Sequence, residues 1–419
     1  MQNTKTIVVI GGGPSGMMAA STAARENTNS RVILIEKNSI LAKKMSITGG
    51  GRCNITNICD TETLIKKIQR NPKFLYSSLY TFTSEMIIDI LKNTGLDIKV
   101  EDNGRVFPVS NNSKDVIGSF KQYLNLKNID ILLNTNVKDI LKTTDNKFII
   151  KIENEKINKE IKSDCVIIST GGLSAKVTGS TGDGYRFAKK LGHSLTENFY
   201  PSVVPLKIKE KFTSDLQGIS FKNVYVKMFL DNKKIFEDNG DIIFTHFGVS
   251  GPVILRASAH IAKKLNTTPK IYIDFFPNEK SFDIFLLDIF KNNINKNLKT
   301  VLEGITTQRL VEVMFIKEKV DLNLKIRDIT KETRLTVVNF FKNLELTVVD
   351  TMGFNPAIAT AGGVLVKEVN PSNMESKIVN GLYFTGEVLD VDAYTGGYNL
   401  QIAFSTGYVA GLSAARSIL

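Results

Sequence analysis

The chain opens on a short β-branched apolar run, Thr6 to Ile10, which passes directly into Gly11-Gly12-Gly13. Pro14 to Glu26 is Ala-rich with helical period, and Arg31 to Glu36 is apolar and β-branched again, so the opening predicts a strand-helix-strand unit. Thr61 to Asn93 sets Leu, Ile, Phe and Tyr among Lys and polar residues at helical spacing, and Val100 to Val109 reads as a hairpin turning at Asp102-Asn103-Gly104. Both fit as insertions between strands of one sheet. Ile129 to Leu133 and Phe148 to Ile152 predict further strands. Asp164 to Ser169 encloses an apolar run ending at Thr170-Gly171-Gly172, the pattern of a buried strand that delivers a glycine turn.

From about His193 the texture changes to short strands with turn residues, such as Val224 to Leu230 before Asp231-Asn232 and Ile242 to Phe247 before Gly248. Between Pro277 and Lys331 it becomes helical and rich in Lys and Asn, with Phe282, Phe285, Leu286, Ile289 and Phe290 spaced for one apolar face. After Asp350 the chain is Gly-rich again; Gly381 to Thr385 predicts a strand, and Tyr398 to Ser417 a terminal helix of small and apolar residues. Single cores stop growing at roughly 250 to 300 residues, so 419 residues imply more than one domain. The expected α/β architecture is a Rossmann-type domain formed by 1–192 and 351–419. It is interrupted by a β-rich insert over 193–276 and 332–350, with a helical subdomain over 277–331.

Composition narrows the function. Hydrophobic residues make up 42% and charged residues 23%, both ordinary for a globular chain. No apolar run approaches the roughly 20 residues that span a bilayer, and the N-terminal run lacks a small-residue cleavage site, so a cytoplasmic protein is expected. Cys53, Cys59 and Cys165 form no full disulfide set and match no common zinc spacing, so no metal is expected. The net charge of +12 fits a phosphate-binding surface. Its Lys surplus is nevertheless spread along the chain without an aromatic-interleaved stripe, so a small-molecule substrate is expected rather than nucleic acid.

Gly11-x-Gly13-x-x-Gly16 follows a strand and opens a helix, the context of a dinucleotide fingerprint. Gly11 permits the tight turn, Gly13 lets the backbone approach a pyrophosphate, and Gly16 lets helix and strand pack closely. Pro14 and Ser15 complete this loop at the helix N-terminus, where amides and dipole favour phosphate. Glu36, 36 − 16 = 20 residues past the last glycine, stands where a carboxylate accepts ribose hydroxyls, and Lys37 follows it. Near the other end, a strand runs into Gly386-Glu387, and Gly396-Gly397 begins a helix. Glu387 suits a ribitol hydroxyl, and the amides from Gly397 through Asn399 to Leu400 suit the negative charge at N1 and O2 of a reduced flavin, which selects FAD over NAD. Gly179 to Gly184 follows no strand, so a nicotinamide coenzyme has no Rossmann domain of its own. Thr170 and Gly171 either bend the chain past FAD or make a plain strand-end turn.

The run from Lys43 to Asn57, containing Lys44 and Gly49-Gly50-Gly51-Arg52-Cys53-Asn54, resembles the signature of a bacterial flavoprotein family. That family is typified by an uncharacterised Haemophilus protein and includes aminoacetone oxidase and a bile-acid 3-dehydro-Δ4,6-reductase. Gly104 to Pro108, Ser169 to Gly172, Gly179 to Tyr185, Phe244 to Pro252 and Gly386 to Gln401 extend the resemblance along the chain. It implies an FAD-binding domain of the two-dinucleotide type, with a β-barrel-like insert carrying a helical subdomain. It also places Lys44, Gly51, Arg52, Cys53, Asn54, Leu400 and Gln401 at the cofactor, with Arg52 offsetting phosphate or flavin charge; Val137 ends an apolar strand where flavoproteins of this type contact adenine through the backbone, or is a core residue. Ala393 departs from the Gly expected there.

Several side chains carry two readings. Cys53 is either a thiolate with lowered pKa or a small residue filling space beside the ring. Asn54 and Asn57 either orient the flavin or cap a turn, and Asp183 either bonds the cofactor or caps a helix beginning near Gly184. His246 is a candidate acid or base, and Tyr394 and Tyr398 are candidate proton donors. His193 and His260 read as structural. The resemblance implies a redox reaction, with reduction of a conjugated C=C bond by NADH or NADPH as the expected one. Oxidation of a small amine by oxygen is the alternative; an RNA-modifying flavoprotein binding tRNA across the Lys-rich cap, or a flavin redox sensor, stands as another class.

Overall fold

A computed structural model describes residues 4–125, 129–154, 157–262, 267–279, 281–321 and 323–419. The chain divides into two compact units, one formed by Met1–Ser202 with Phe354–Leu419, the other by Val203–Gly353. The first begins with β1 (Thr6–Ile10), α1 (Pro14–Glu26) and β2 (Arg31–Ile35), as the apolar periodicity predicts. It continues with β3 (Asp130–Leu132), β4 (Cys165–Ile168), α2 (Asp183–Lys190), β5 (Leu382–Phe384) and α3 (Tyr398–Arg416).

The five strands form one parallel sheet in the order β5-β4-β1-β2-β3, with Ile7 opposite Cys165 on one side and Val32 on the other. β1 and β4 are central and their apolar residues are fully buried, which is why they read as continuous hydrophobic runs. The terminal helix returns against the first: a Cβ at Gly407 would lie 2.2 Å from the Ser15 carbonyl oxygen, and one at Gly411 2.3 Å from that of Ala19. Small residues on α3 thus let two helix backbones meet, joining the C-terminal segment to the N-terminal one.

The insertions are as the polar-apolar texture predicts, with differences in detail. Thr61 to Asn93 folds into three helices, Thr61–Lys66, Tyr76–Thr81 and Ser84–Asn93. Ile98–Glu101 and Arg105–Pro108 pair antiparallel about Asp102–Gly104. Val137 does not end a strand: it is the second residue of Asn136–Lys142, the first strand of an antiparallel meander, and sits at a register shift.

In the second unit, six strands close a barrel: Leu206–Ile208, Gly248–Ser250, Lys233–Thr245, Ser220–Leu230, Lys270–Asp274 and Leu344–Thr351. The helices Phe282–Lys291, Leu298–Glu303, Gln308–Glu318 and Lys331–Lys342 share one hydrophobic core with it. Two expected boundaries therefore move. Residues 193–202 stay with the first unit because Tyr200–Ser202 pairs with Ala359–Ala361. Lys331–Lys342 is helical and joins the other helices, with the final barrel strand beginning at Leu344.

Candidate functional site

The three fingerprint glycines have different physical roles. Gly11 has φ +106°, and a Cβ there would lie 2.5 Å from the Ser169 carbonyl oxygen. A Cβ at Gly16 would meet the Gly11 carbonyl oxygen at 1.9 Å, so Gly16 is required by helix-strand packing. At Gly13 a Cβ would meet nothing within 4 Å. Gly13 caps α1 without a side-chain hydrogen bond, and Pro14 occupies the first turn. The amides of Ser15 and Gly16 therefore have no acceptor inside the helix, beside a backbone that lies open.

Glu36 follows β2 and is 8% exposed. Its Oε2 accepts the Gly12 amide at 2.7 Å, and Oε1 accepts the Asn38 amide at 2.8 Å and the Asn38 side chain at 2.6 Å. The carboxylate is thus aimed back at the glycine loop, and Oε2 keeps one further acceptor position. Lys37 Nζ bonds Thr181 at 2.5 Å and Asp183 at 2.7 Å. Asp183 is not the helix cap: Gly182 is, and Asp183 is the first residue of α2, its carboxyl held below the usual range by Lys37 and Thr181 despite burial.

Around the signature run, Gly49, Gly50 and Gly51 have φ of +59°, +69° and +86°, and a Cβ at Gly50 or Gly51 would meet nothing within 4 Å. The left-handed backbone is therefore uncovered at Gly50 and Gly51, whereas at Gly49 a Cβ would meet the Asn54 amide nitrogen at 3.0 Å. Arg52 pairs with Glu101 at 2.8 Å and lies 4.0 Å over the Phe107 ring, so its charge has a partner within the hairpin. Lys44 Nζ reaches Glu387 Oε2 at 2.7 Å, and Glu387 Oε1 accepts the Thr360 amide at 2.8 Å. Gly386, at φ +69°, packs over Ser15, bringing the end of β5 to the start of α1.

The N-terminus of α3 departs from expectation. With its amide turned to satisfy its neighbours, Asn54 accepts the Gly397 N–H at 3.0 Å and donates to the Thr56 carbonyl at 3.1 Å, so the Gly397 amide is taken. Asn399 spends its side chain on the loop before the helix, accepting the Ala393 amide at 2.9 Å and donating to the Ala393 carbonyl at 2.8 Å. Gln401 is buried; Oε1 accepts Thr56 Oγ1 at 2.6 Å, and Nε2 donates to the Phe82 carbonyl and Ser405 Oγ, both at 3.0 Å. These side chains position the helix. The backbone amides of Asn399 and Leu400 stand in its first turn, where no intrahelical acceptor exists.

The catalytic candidates differ in their surroundings. Cys53 is fully buried at φ +63°, and burial pushes its thiol up to about 12, the wrong direction for an activated thiolate. His246 is exposed in the turn between Lys233–Thr245 and Gly248–Ser250, edge-on to Phe247. Tyr398 is nearly buried, with its ring against Gly396. Tyr394 is half-buried, its amide donating to the Lys67 carbonyl at 3.1 Å. Gly171 turns at φ +72°, and Thr170 Oγ1 is buried without a hydrogen-bond partner among the described residues.

One group escaped the sequence reading. Between Glu387 and Gly397, the buried Asp392 accepts Ser202 Oγ at 2.6 Å and Arg70 at 2.7 Å, while Asn71 bonds the Asp390 carbonyl at 2.6 Å. Burial, with Asp390 nearby, pushes the Asp392 carboxyl up against the opposing pull of Arg70. Asp-x-Asp after Glu387 was the visible signal; its cation lies more than three hundred residues earlier.

The family described as HI0933-like protein Rossmann domain matches residues 5–413. The chain belongs to the HI0933-like family. It is 31% identical to a 3-dehydro-bile acid Δ(4,6)-reductase of Clostridium scindens, over 98% of this chain and 99% of that one. It is 29% identical to a ribosomal RNA dihydrouridine synthase of Haemophilus influenzae, with 98% of each chain covered. A 3-ketosteroid Δ1-dehydrogenase structure from Sterolibacterium denitrificans shares the fold, at a TM-score of 0.52 and 12% identity, covering 99% of this chain and 100% of that one. As an HI0933-like protein the chain is an FAD-dependent oxidoreductase. Among the described residues, no helix is long and apolar enough to cross a membrane.

Proposed function

We propose that this protein reduces a carbon–carbon double bond conjugated to a carbonyl, using FAD and an external nicotinamide donor, NADH or NADPH. The observation that carries this reading is the pair of full-length relatives, a Δ(4,6)-reductase and a ribosomal RNA dihydrouridine synthase. Their names describe very different molecules but one bond change, two hydrogens added across a C=C beside a carbonyl.

The cradle fits the cofactor. Gly13 leaves its backbone open while the amides of Ser15 and Gly16 face outward from α1, which suits a pyrophosphate. Glu36, steered by Gly12 and Asn38, presents Oε2 to a ribose hydroxyl. Gly50 and Gly51 give close backbone access to a flat ring. Asn54, Asn399 and Gln401 fix the first turn of α3, so that its amides meet negative charge without reorganisation. When bound and first reduced by the nicotinamide donor, FAD would supply the hydride that the double bond accepts at the carbon β to the carbonyl, with a solvent-derived proton completing the α carbon. Lys44 holds Glu387 in place, a pairing that suits orientation of the ribitol chain.

A second reading makes the double bond that of a uracil ring in ribosomal RNA. The Haemophilus influenzae relative favours it, and the net charge of +12 then has a use, despite the scattered lysines that argued against nucleic acid. The test is anaerobic. The purified yellow protein is mixed with NADH and NADPH, and the reduced protein is then offered a steroid dienone or an unmodified ribosomal RNA fragment. Reduction by a nicotinamide followed by reoxidation with one acceptor supports the reading and names its branch. Reoxidation by oxygen alone, or reduction by a small amine instead of a nicotinamide, overturns it.

A further inference from the structure

Three buried polar atoms without a hydrogen-bond partner among the described residues, Arg70 Nε, Asp390 Oδ1 and Asp392 Oδ1, belong to one cluster. Arg70 Nε and Asp390 Oδ1 are 3.8 Å apart, and the Asp392 side chain has no exposed surface. Two carboxylates thus share one guanidinium. Arg70 and Ser202 bond one oxygen of Asp392, and Asn71 completes the cluster through the carbonyl and Oδ2 of Asp390. Keeping unequal charges away from water is costly, so the arrangement calls for an explanation beyond packing.

The loop that carries these carboxylates supplies one. It joins Glu387 to the N-terminus of α3, the two elements placed at the flavin above. Segment 67–71 clamps it from one side, through the Gln69 amide to the Asp392 carbonyl at 2.8 Å and the Tyr394 amide to the Lys67 carbonyl at 3.1 Å. From the other side Asn399, in the first turn of α3, holds both the amide and the carbonyl of Ala393. Asp392 is therefore one residue from a rigid junction with the helix end. Fixed charge there acts through a poorly screened interior.

We infer that Arg70, Asp390 and Asp392 form a positioning cluster whose excess negative charge lowers the flavin's reduction potential, biasing it toward giving its hydride away. The inference rests on the FAD reading above. A flavin that takes two electrons and one proton becomes an anion, so uncompensated carboxylate charge nearby disfavours the reduced form. A low potential suits a reductase acting on an acceptor as unreactive as an isolated enone.

The experiment is spectroelectrochemical titration of FAD-loaded protein from about pH 7 to about pH 10, a range taken above the ordinary carboxylate values because burial pushes the Asp392 carboxyl up, with the potentials compared at the alkaline end. Asp392→Asn and Asp390→Asn keep side-chain shape while removing charge. Each is expected to raise the potential so that the reduced-to-oxidised ratio grows about tenfold at fixed potential, about 30 mV for a two-electron couple. Arg70→Lys, which keeps the charge but loses the guanidinium fork, is expected to stay near wild type. Unmoved potentials in both Asn variants overturn the inference, as does a Lys variant that shifts as far as they do. If Asp392→Asn does not fold, Asp390→Asn against Arg70→Lys decides. Protein that retains no flavin even as wild type would instead overturn the FAD reading.

Discussion

Gly13 and Gly16 stand three residues apart in one loop, and the structure assigns them opposite kinds of necessity. In Gly16→Ala the new methyl would lie 1.9 Å from the Gly11 carbonyl oxygen, about 1 Å inside any real contact, so α1 must move off β1. Overpacking of this kind costs about 1–3 kcal/mol, against a helix-propensity gain of about 1 kcal/mol, and the net loss appears with no cofactor bound. In Gly13→Ala the methyl meets nothing within 4 Å. Ala is a poorer cap than Gly, but it also restricts the unfolded chain by about 0.4–1 kcal/mol, so stability without FAD should stay within about 1 kcal/mol of wild type. The loss should fall on binding. A phosphate held off the backbone forfeits charge-assisted hydrogen bonds worth about 1.5–3 kcal/mol each, so Kd for FAD should rise at least about tenfold.

Urea unfolding of the flavin-free variants, followed by circular dichroism, gives the first quantity, and quenching of flavin fluorescence during titration gives the second. Wild-type FAD affinity in Gly13→Ala would refute the idea that a phosphate approaches that backbone. Equal destabilisation of the two flavin-free variants would refute the division of labour.

Glu36→Ala should weaken FAD retention by about 1.5–3 kcal/mol through lost charge-assisted bonds; dialysis against buffer without FAD is the check, and full retention counts against a ribose contact. Cys53 should resist iodoacetamide in folded protein at neutral pH because its thiol is buried and pushed up to about 12, and mass spectrometry of the alkylated peptide reads this directly; rapid labelling would restore the thiolate reading. Burial lowers the His193 pKa, outweighing the Glu368 carboxylate 3.3 Å away. The unfolded chain then binds more protons, so this residue's contribution to stability is complete above about pH 6.5 and is lost as pH falls toward the depressed folded value, with a slope of at most about 1.4 kcal/mol per pH unit. Urea midpoints of wild type and His193→Gln between about pH 5 and 7.5 test the sign; an identical pH slope in the two proteins would exclude His193 as its source.

What was legible in the sequence follows physical range. The β1-α1-β2 unit could be read because its determinants are neighbours: a β-branched run, a helix-opening proline, and glycines forced by contacts between adjacent elements. Short strands in the insert were equally visible, but the closing of six of them into a barrel depends on Leu206–Ile208 pairing with Leu344–Thr351, which no local pattern encodes. The same limit applies to the partners of single side chains. Arg52 looked available for a phosphate, and the hairpin brings Glu101 to it. Gln401 looked like a cofactor ligand, and Thr56 and the Phe82 carbonyl, both distant in the chain, bond it. Composition could say that such groups need partners; only the fold says which.

That limit bears on function as well. Two full-length relatives at 31% and 29% identity carry names that point to a bile acid and to ribosomal RNA, so overall similarity does not choose between a flat hydrophobic acceptor and a polyanionic one. The choice rests on what desolvates and orients the acceptor, because a fold supports many substrates through the site built on it. The groups read here as holding FAD all belong to the first unit, and their hydrogen bonds are satisfied or aimed within it. This separates the chemistry of the bond from recognition of its carrier. An RNA acceptor must lose affinity steeply as salt rises, through release of the phosphate counterions, whereas an uncharged dienone has no such term. Measuring reoxidation of the reduced flavin against salt with both acceptors thus distinguishes recognition of a charged backbone from recognition of the unsaturated ring alone.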